Sequence, residues 1–171
     1  MNTLCICSKN EIYKIFQRKK YWIILTVTLG ITVCGALIGL ISNSIISFSS
    51  QNYPYVILSL CCYVFVPFTA LMLSSDLISS ECERNELRFL LTKHASRTEL
   101  LFGKLAAIMV YEFFLTAANV IAALIFSLIF SGFTSVNIFA VLMSVVITVI
   151  PIAAFVSFAG FISVFLSLIH I

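Results

Sequence analysis

The charged residues of this 171-residue chain are confined to two segments. All ten basic and all seven acidic side chains lie in residues 9–20 or 76–112, and residues 21–75 and 113–171 contain none. Hydrophobic residues make up 61% of the chain and the mean hydropathy is +1.14, far above the range of water-soluble domains. We therefore expect lipid to surround both uncharged tracts.

Each uncharged tract is long enough for two membrane-spanning helices. An α-helix needs about 20 apolar residues to cross a hydrocarbon core of about 30 Å. We therefore predict an all-α, polytopic transmembrane bundle of about four spans, formed as a single domain by residues 1–171. The predicted spans are residues 21–41, 54–74, 105–130 and 136–168.

Basic residues predict the orientation of this bundle. Five Lys or Arg precede the first span, five lie in the central loop of residues 76–104, and the two short turns contain none. Because cytoplasmic loops carry the excess of Lys and Arg, we expect a multi-pass protein of the cell membrane with a cytoplasmic N-terminus. The first apolar tract lacks an obvious small-residue cleavage site, so we expect a retained span rather than a signal peptide.

The N-terminal segment predicts an amphipathic helix at the membrane surface. Ser8 and Glu11 have capping-box spacing, which predicts a helix over residues 8–20. Its predicted apolar face contains Ile12, Ile15, Phe16 and Ile23, and its predicted polar face contains Glu11, Lys14 and Arg18. Four basic residues are expected at the lipid headgroups: Lys14, Arg18, Lys19 and Lys20. Amphipathicity alone fits a lever on the inner leaflet and a passive anchor equally well.

The central loop contains the capping-box spacing twice more. Ser80 with Glu83 predicts a short amphipathic helix, and Ser96 with Glu99 predicts the helix that continues into the third span. The mixed charges of this loop suit docking of a soluble partner. Charge pattern alone, however, favours a solvated turn that holds the loop in the cytoplasm.

Three residues of the apolar segments stand out. Glu112 lies about 12 Å of helix beyond Lys104, where an acid would be costly and functional. Because residues 113–133 could span by themselves, helix length favours placing Glu112 at the inner interface instead. Pro67 and Pro151 each remove a backbone donor and are expected to kink or break their helices.

Two segments resemble a known family of membrane proteins. The run from Asp76 to Thr92, D-L-I-S-S-E-C-E-R-N-E-L-R-F-L-L-T, is followed by Ser96-Arg97 and Gly103-Lys104. It resembles the loop of ABC-2 type transporter permeases, which commonly reads like D-x-I-S-x-E-x-E-x-G-T-L-x-x-L-L-T-x-P-x-S-R and ends in G-K. Residues 9–20 are similar to the elbow helix that lies on the membrane before the first span in that family.

The resemblance implies a membrane-spanning subunit of an exporter, with ATP hydrolysis on a separate ABC ATPase subunit. The chain contains no G-x-x-x-x-G-K-[ST] sequence, and no cofactor or metal is expected. The other implied partners are a second permease copy or paralogue and the lipid bilayer, but no nucleic acid. The implied ATPase-coupling residues are Glu81, Glu83, Arg84, Glu86, Arg88 and Arg97.

Other interpretations remain open from the sequence. The family usually has six spans, whereas four are predicted here. The chain could therefore also be a truncated permease, or a small non-transporting membrane protein such as an immunity or regulatory subunit. An intramembrane enzyme is disfavoured, because the spans contain no paired carboxylates, no metal-spaced His cluster and no nucleophile beside a base. We expect a transport subunit that has no enzymatic activity of its own.

Overall fold

The described part of the chain is almost entirely helical. A computed structural model describes residues 3–41, 52–79, 97–131 and 137–169, and no β-strand occurs within them. The helices are α1 Thr3–Gln17, α2 Lys19–Ile41, α3 Tyr53–Leu60, α4 Val66–Ser74, α5 Arg97–Ser131, α6 Ile138–Ile147 and α7 Val149–Ile169. Two π-helical segments, Cys61–Phe65 and Ser75–Ser79, precede and follow α4, and the helical span continues through both.

Four helical stretches are long and apolar enough to cross a membrane, which confirms the predicted all-α polytopic bundle. These four spans, numbered in chain order, are Lys19–Gly39, Tyr53–Leu77, Thr98–Ile129 and Ile138–Phe165. Their surface is apolar, with Tyr63 79% and Ile150 73% exposed, whereas polar side chains such as Thr69 and Asn119 are buried. This distribution suits a bundle whose outer face contacts lipid and whose polar groups pair between helices.

The N-terminal helix differs from its predicted bounds. Helix α1 begins at Thr3 and ends at Gln17, so Ser8 lies inside it and does not start it. The predicted capping box is therefore wrong. Glu11 Oε1 instead accepts a hydrogen bond from Lys14 Nζ over 2.8 Å, as expected for two side chains three residues apart on one helix.

The predicted apolar and polar faces of this segment are also partly wrong. Glu11 is only 7% exposed, because it shares a face with Ile15, four residues further along the same helix. Ile23 is 59% exposed. Since Arg18 separates α1 from α2, the helical period of α1 does not continue to Ile23.

Both prolines interrupt regular α-helix, as predicted. A proline has no N–H for the carbonyl four residues earlier, and its ring clashes with that carbonyl. For Pro67 this carbonyl belongs to Tyr63, inside the π segment Cys61–Phe65. For Pro151 it belongs to Ile147, the last residue of α6, and the fourth span is broken there into α6 and α7.

Helix α5 lies at the centre of the bundle. It packs against α1, α2, α3, α4 and α7, and α1 packs mainly on α5. With 35 residues, α5 extends about 52 Å at about 1.5 Å per residue, more than a hydrocarbon core requires. It begins at Arg97, directly after Ser96, as the spacing of Ser96 and Glu99 predicts. Residues 97–104, which were predicted to belong to the central loop, are therefore helical. We call the charged segment that precedes α5 in the sequence the charged loop. Helix α5 therefore connects the end of this loop to the middle of the bundle.

Candidate functional site

The structure brings three charged residues together at one end of the bundle. Lys20 of the first span forms a salt bridge with Asp76 of the second span. Lys104 of the third span donates a hydrogen bond from Nζ to the carbonyl oxygen of Leu77 over 2.7 Å. We call the end defined by Lys20, Asp76 and Lys104 the charged end. Three spans are thus tied together where the charged loop leaves the bundle and returns.

Lys104 also provides a positively charged hydrogen-bond donor for a backbone carbonyl at the end of the second span. The last four carbonyls of a helix have no partner within that helix, and they carry the negative end of its dipole. The second span continues to Ser79, so Leu77 O belongs to this final turn. The Lys104 side chain is 6% exposed and its ammonium is a strong donor to such a carbonyl. Its removal would leave the helix end without this partner.

The joint between α1 and the first span is held by aromatic side chains. Trp22 donates a hydrogen bond from Nε1 to the carbonyl of Phe16 over 2.9 Å, which bridges the break at Arg18. Tyr111 of α5 donates from its hydroxyl to the carbonyl of Tyr21 over 2.9 Å. The Phe16 ring lies 6.2 Å from that of Trp22 and 6.3 Å from that of Tyr111, both in edge-to-face geometry. These contacts hold α1, α2 and α5 together.

Polar side chains also pair deeper in the bundle. Thr69 lies 2.8 Å from Glu112, joining the second and third spans. Asn119 donates from Nδ2 to the Thr28 hydroxyl over 3.2 Å, which links the third span to the first. Interhelical hydrogen bonds of this kind contribute about 0.6 kcal/mol each in membrane proteins. They specify how the spans face one another.

Glu112 is the only acidic residue among these deeper pairs in the described part of the chain. Its side chain is 0% exposed, and it lies two turns of α5, about 12 Å, beyond Lys104. The carboxyl group is therefore enclosed between helices, as the Lys104 side chain is nearer the charged end.

The predicted interfacial residues occupy different environments. Lys14 pairs with Glu11 on α1, and Lys20 pairs with Asp76. Lys19 is exposed, and Arg18 is the partly buried residue between α1 and α2. Lys20 therefore joins the first span to the second.

The predicted ATPase-coupling residues remain predictions. Five of them lie outside the described residues: Glu81, Glu83, Arg84, Glu86 and Arg88. Arg97 is the first residue of α5, but its side chain also lies outside the described part. The two helices that flank their loop are nevertheless joined at the charged end, where Lys104 of α5 binds the Leu77 carbonyl of the second span.

Several residues of the site were missed in the sequence, although some of them carried a signal. Lys20 and Asp76 are opposite charges that border the uncharged tract 21–75, so their pairing follows if the first two spans form an antiparallel hairpin. The roles of Tyr21 and Tyr111 carried no such signal, because each hydroxyl finds its partner only through tertiary packing. Within the described residues, no group of three or more His, Cys, Asp or Glu could hold a metal ion.

Comparison with known proteins agrees with this architecture. Residues 6–168 match the family described as ABC-2 family transporter protein. No curated protein and no solved structure shows a significant match to the chain. The family match covers nearly the whole chain, including α1, the charged end and all four spans. This chain is a multi-pass membrane protein that belongs to the ABC-2 transporter family, in which it has a permease-type role.

Proposed function

We propose that this chain is the membrane-spanning subunit of an exporter in the cell membrane, and that a separate ABC ATPase binds its charged end. The observation that supports this proposal best is the placement of α1 and of both ends of the charged loop at the same end of the bundle. A partner docked there would contact the loop and lie next to α1. The loop residues between Asp76 and Lys104 carry mixed charges, which suit such docking.

The proposed mechanism transmits a push from the ATPase into the bundle. Closure of two ATPase subunits on ATP displaces the loop that contains Glu83 and Arg88. Because α5 continues without interruption from Arg97 to Ser131, a displacement of its first turn moves the helix as a rod. Two permease chains, either identical or paralogous, then exchange inward-open and outward-open arrangements by rigid-body movement across their interface.

The proposed orientation places the charged end and the N-terminus in the cytoplasm. The ten Lys and Arg residues of the chain, which all lie in residues 9–20 or in the charged loop, support this orientation. An N-terminal epitope tag is expected to resist protease in sealed right-side-out vesicles and to be removed in inverted vesicles. The opposite pattern would reverse the topology and exclude an ATPase at the charged end.

Recovery of the partner tests the central claim. A tagged chain is purified from native membranes in mild detergent, and the co-purified proteins are identified by mass spectrometry. The wild type is expected to retain an ABC ATPase, and Glu83→Lys/Arg88→Glu to lose it. The matched control Glu83→Asp/Arg88→Lys keeps both charges and should retain the ATPase. A correctly inserted wild type that never retains an ATPase would favour a non-transporting membrane protein instead.

A further inference from the structure

Glu112 is a buried carboxyl group with one side-chain hydrogen-bond partner in the described part of the chain, Thr69. It lies on α5, is 0% exposed, and its Oε2 atom is 2.8 Å from Thr69 Oγ1 on α4. Its Oε1 atom is also buried and receives no hydrogen bond from the described residues. Intramembrane carboxyl groups of this kind are rare and tend to be functional.

The hydroxyl of Thr69 has one hydrogen for two short contacts. Its oxygen lies 2.7 Å from the carbonyl oxygen of Phe65 and 2.8 Å from Glu112 Oε2. Both distances are within the normal range for O–H···O hydrogen bonds, yet a hydroxyl can donate only one hydrogen. A Thr in an apolar helix usually donates to the carbonyl four residues earlier, here that of Phe65. The second hydrogen bond then needs its hydrogen from Glu112.

The surroundings of Glu112 also favour a neutral carboxyl group. Salt bridges in the described part join Lys14 to Glu11 and Lys20 to Asp76, and none involves Glu112. An ionised carboxylate without a cationic partner is costly in a low-dielectric interior. An unsatisfied Oε1 is far less costly as the carbonyl oxygen of a neutral acid than as a carboxylate oxygen.

We propose that Glu112 is an intramembrane proton-binding residue, whose protonated carboxyl group donates to the Thr69 hydroxyl while Thr69 donates to the carbonyl of Phe65. The first of these two hydrogen bonds joins the third span to the second, and the other lies within the second span. This inference rests on the contacts of Glu112 alone and is independent of the proposed ATPase partner.

Proton release would affect a part of the second span where regular α-helical hydrogen bonding is interrupted. Without its proton, Glu112 could keep the contact only if Thr69 turned its hydrogen away from Phe65. Phe65 is the last residue of the π segment Cys61–Phe65 and lies two residues before Pro67, where regular helix bonding is already interrupted. Such π segments occur frequently at functional sites. Protonation of Glu112 is thereby coupled to the hydrogen bonding of this π segment.

Other ionisable groups around Glu112 are few within the described residues. Cys61, on the second span, and Tyr111, the preceding residue on α5, are the ones that interact electrostatically with it. Tyr111 is engaged with the carbonyl of Tyr21. Lys104 lies about 12 Å away along the same helix. Glu112 is therefore the group whose protonation an experiment should isolate.

Infrared difference spectroscopy tests the proposal directly. The purified full-length wild type and Glu112→Gln are compared at neutral pH in lipid nanodiscs. We expect the wild type to show the carbonyl stretch of a carboxylic acid, absent from the variant and shifted in D₂O. If the difference shows only the stretches of an ionised carboxylate, Glu112 is charged and the proposal is wrong.

Two further variants keep the test decisive. Glu11→Gln is the matched control, because Glu11 is also buried but is paired with Lys14, so it should remove carboxylate bands and leave the acid band unchanged. Thr69→Val should move the acid band to higher wavenumber and raise the unfolding equilibrium constant about threefold, whereas Thr69→Ser should do neither. An acid band unaffected by Thr69→Val would overturn the proposed hydrogen bond, even if Glu112→Gln does not accumulate.

Discussion

Replacing Tyr21 with Phe removes a hydrogen bond between the first and second spans. The Tyr21 hydroxyl donates to Asp76 Oδ2 over 3.1 Å, and Tyr21 is 1% exposed. The Phe ring would keep the packing against Tyr111, whose ring centroid lies 5.7 Å away. Asp76 would keep its salt bridge with Lys20, so the substitution leaves no carboxylate without a partner. The change in stability therefore measures the hydroxyl group.

The geometry sets the expected magnitude. A hydrogen bond contributes about 0.5–1.5 kcal/mol between neutral groups and about 1.5–3 kcal/mol when one partner is charged. The distance of 3.1 Å is slightly long for O–H···O, and the Asp76 side chain is 28% exposed, so solvent competes for the carboxylate. We expect Tyr21→Phe to lower the free energy of unfolding by about 1 kcal/mol, or about fivefold in the equilibrium constant.

Reversible unfolding in mixed micelles, followed by circular dichroism during titration with a denaturing detergent, measures this difference. Asp76→Asn and the double variant complete a mutant cycle, in which the effect of Tyr21→Phe should become smaller once the carboxylate is absent. Tyr13→Phe is the matched control, because Tyr13 is 63% exposed and its substitution should change little. Equal effects of Tyr21→Phe with and without Asp76 would refute the assignment of this bond.

Three other substitutions test local features of the fold. Trp22→Phe removes the indole donor to the Phe16 carbonyl, and should speed hydrogen exchange in α1, measured by mass spectrometry; unchanged exchange would argue against a joint held by this bond. Gly160→Ala places a Cβ 2.5 Å from Leu105 Cδ2, so the end of the Leu105 side chain must shift, and Gly160→Ala should be more favourable to stability in the Leu105→Ala background than in the wild type. Asn137→Ala removes the N-cap of α6 and should cost about 1 kcal/mol in the same unfolding assay, whereas Asn137→Asp should cost much less.

The four-span architecture was predictable because it depends on a property that the sequence displays directly. The exclusion of charge from residues 21–75 and 113–171 reflects the cost of placing ions in hydrocarbon, a cost that applies wherever the helices pack. The break before Pro151 was predictable for a similar reason, because the missing N–H is a local property of proline. Neither prediction required knowledge of which helices are neighbours.

The buried polar pairs were not predictable, because each one depends on tertiary packing. Thr69 and Glu112 are 43 residues apart, and nothing in the sequence selects Thr69 from the other hydroxyl residues of the spans. The start of α1 was mispredicted for a different reason. The spacing of Ser8 and Glu11 fits a capping box, but it equally fits two positions within a longer helix, where Glu11 can pair with Lys14.

The distribution of contacts suggests which helices would move together when the proposed ATPase pushes on the bundle, and which would shift relative to them. The first and second spans are joined at the charged end by Asp76 and, at the opposite end, by a hydrogen bond from the Tyr53 hydroxyl to the Thr32 carbonyl. Gly35 permits this approach, since a Cβ there would lie 3.2 Å from the Tyr53 hydroxyl. Because Tyr111 and Asn119 join the third span to the first, the first three spans would move together. Helix α6 has few neighbours among the described residues and ends at the break before Pro151, so under the proposed mechanism it is the segment that can shift relative to them.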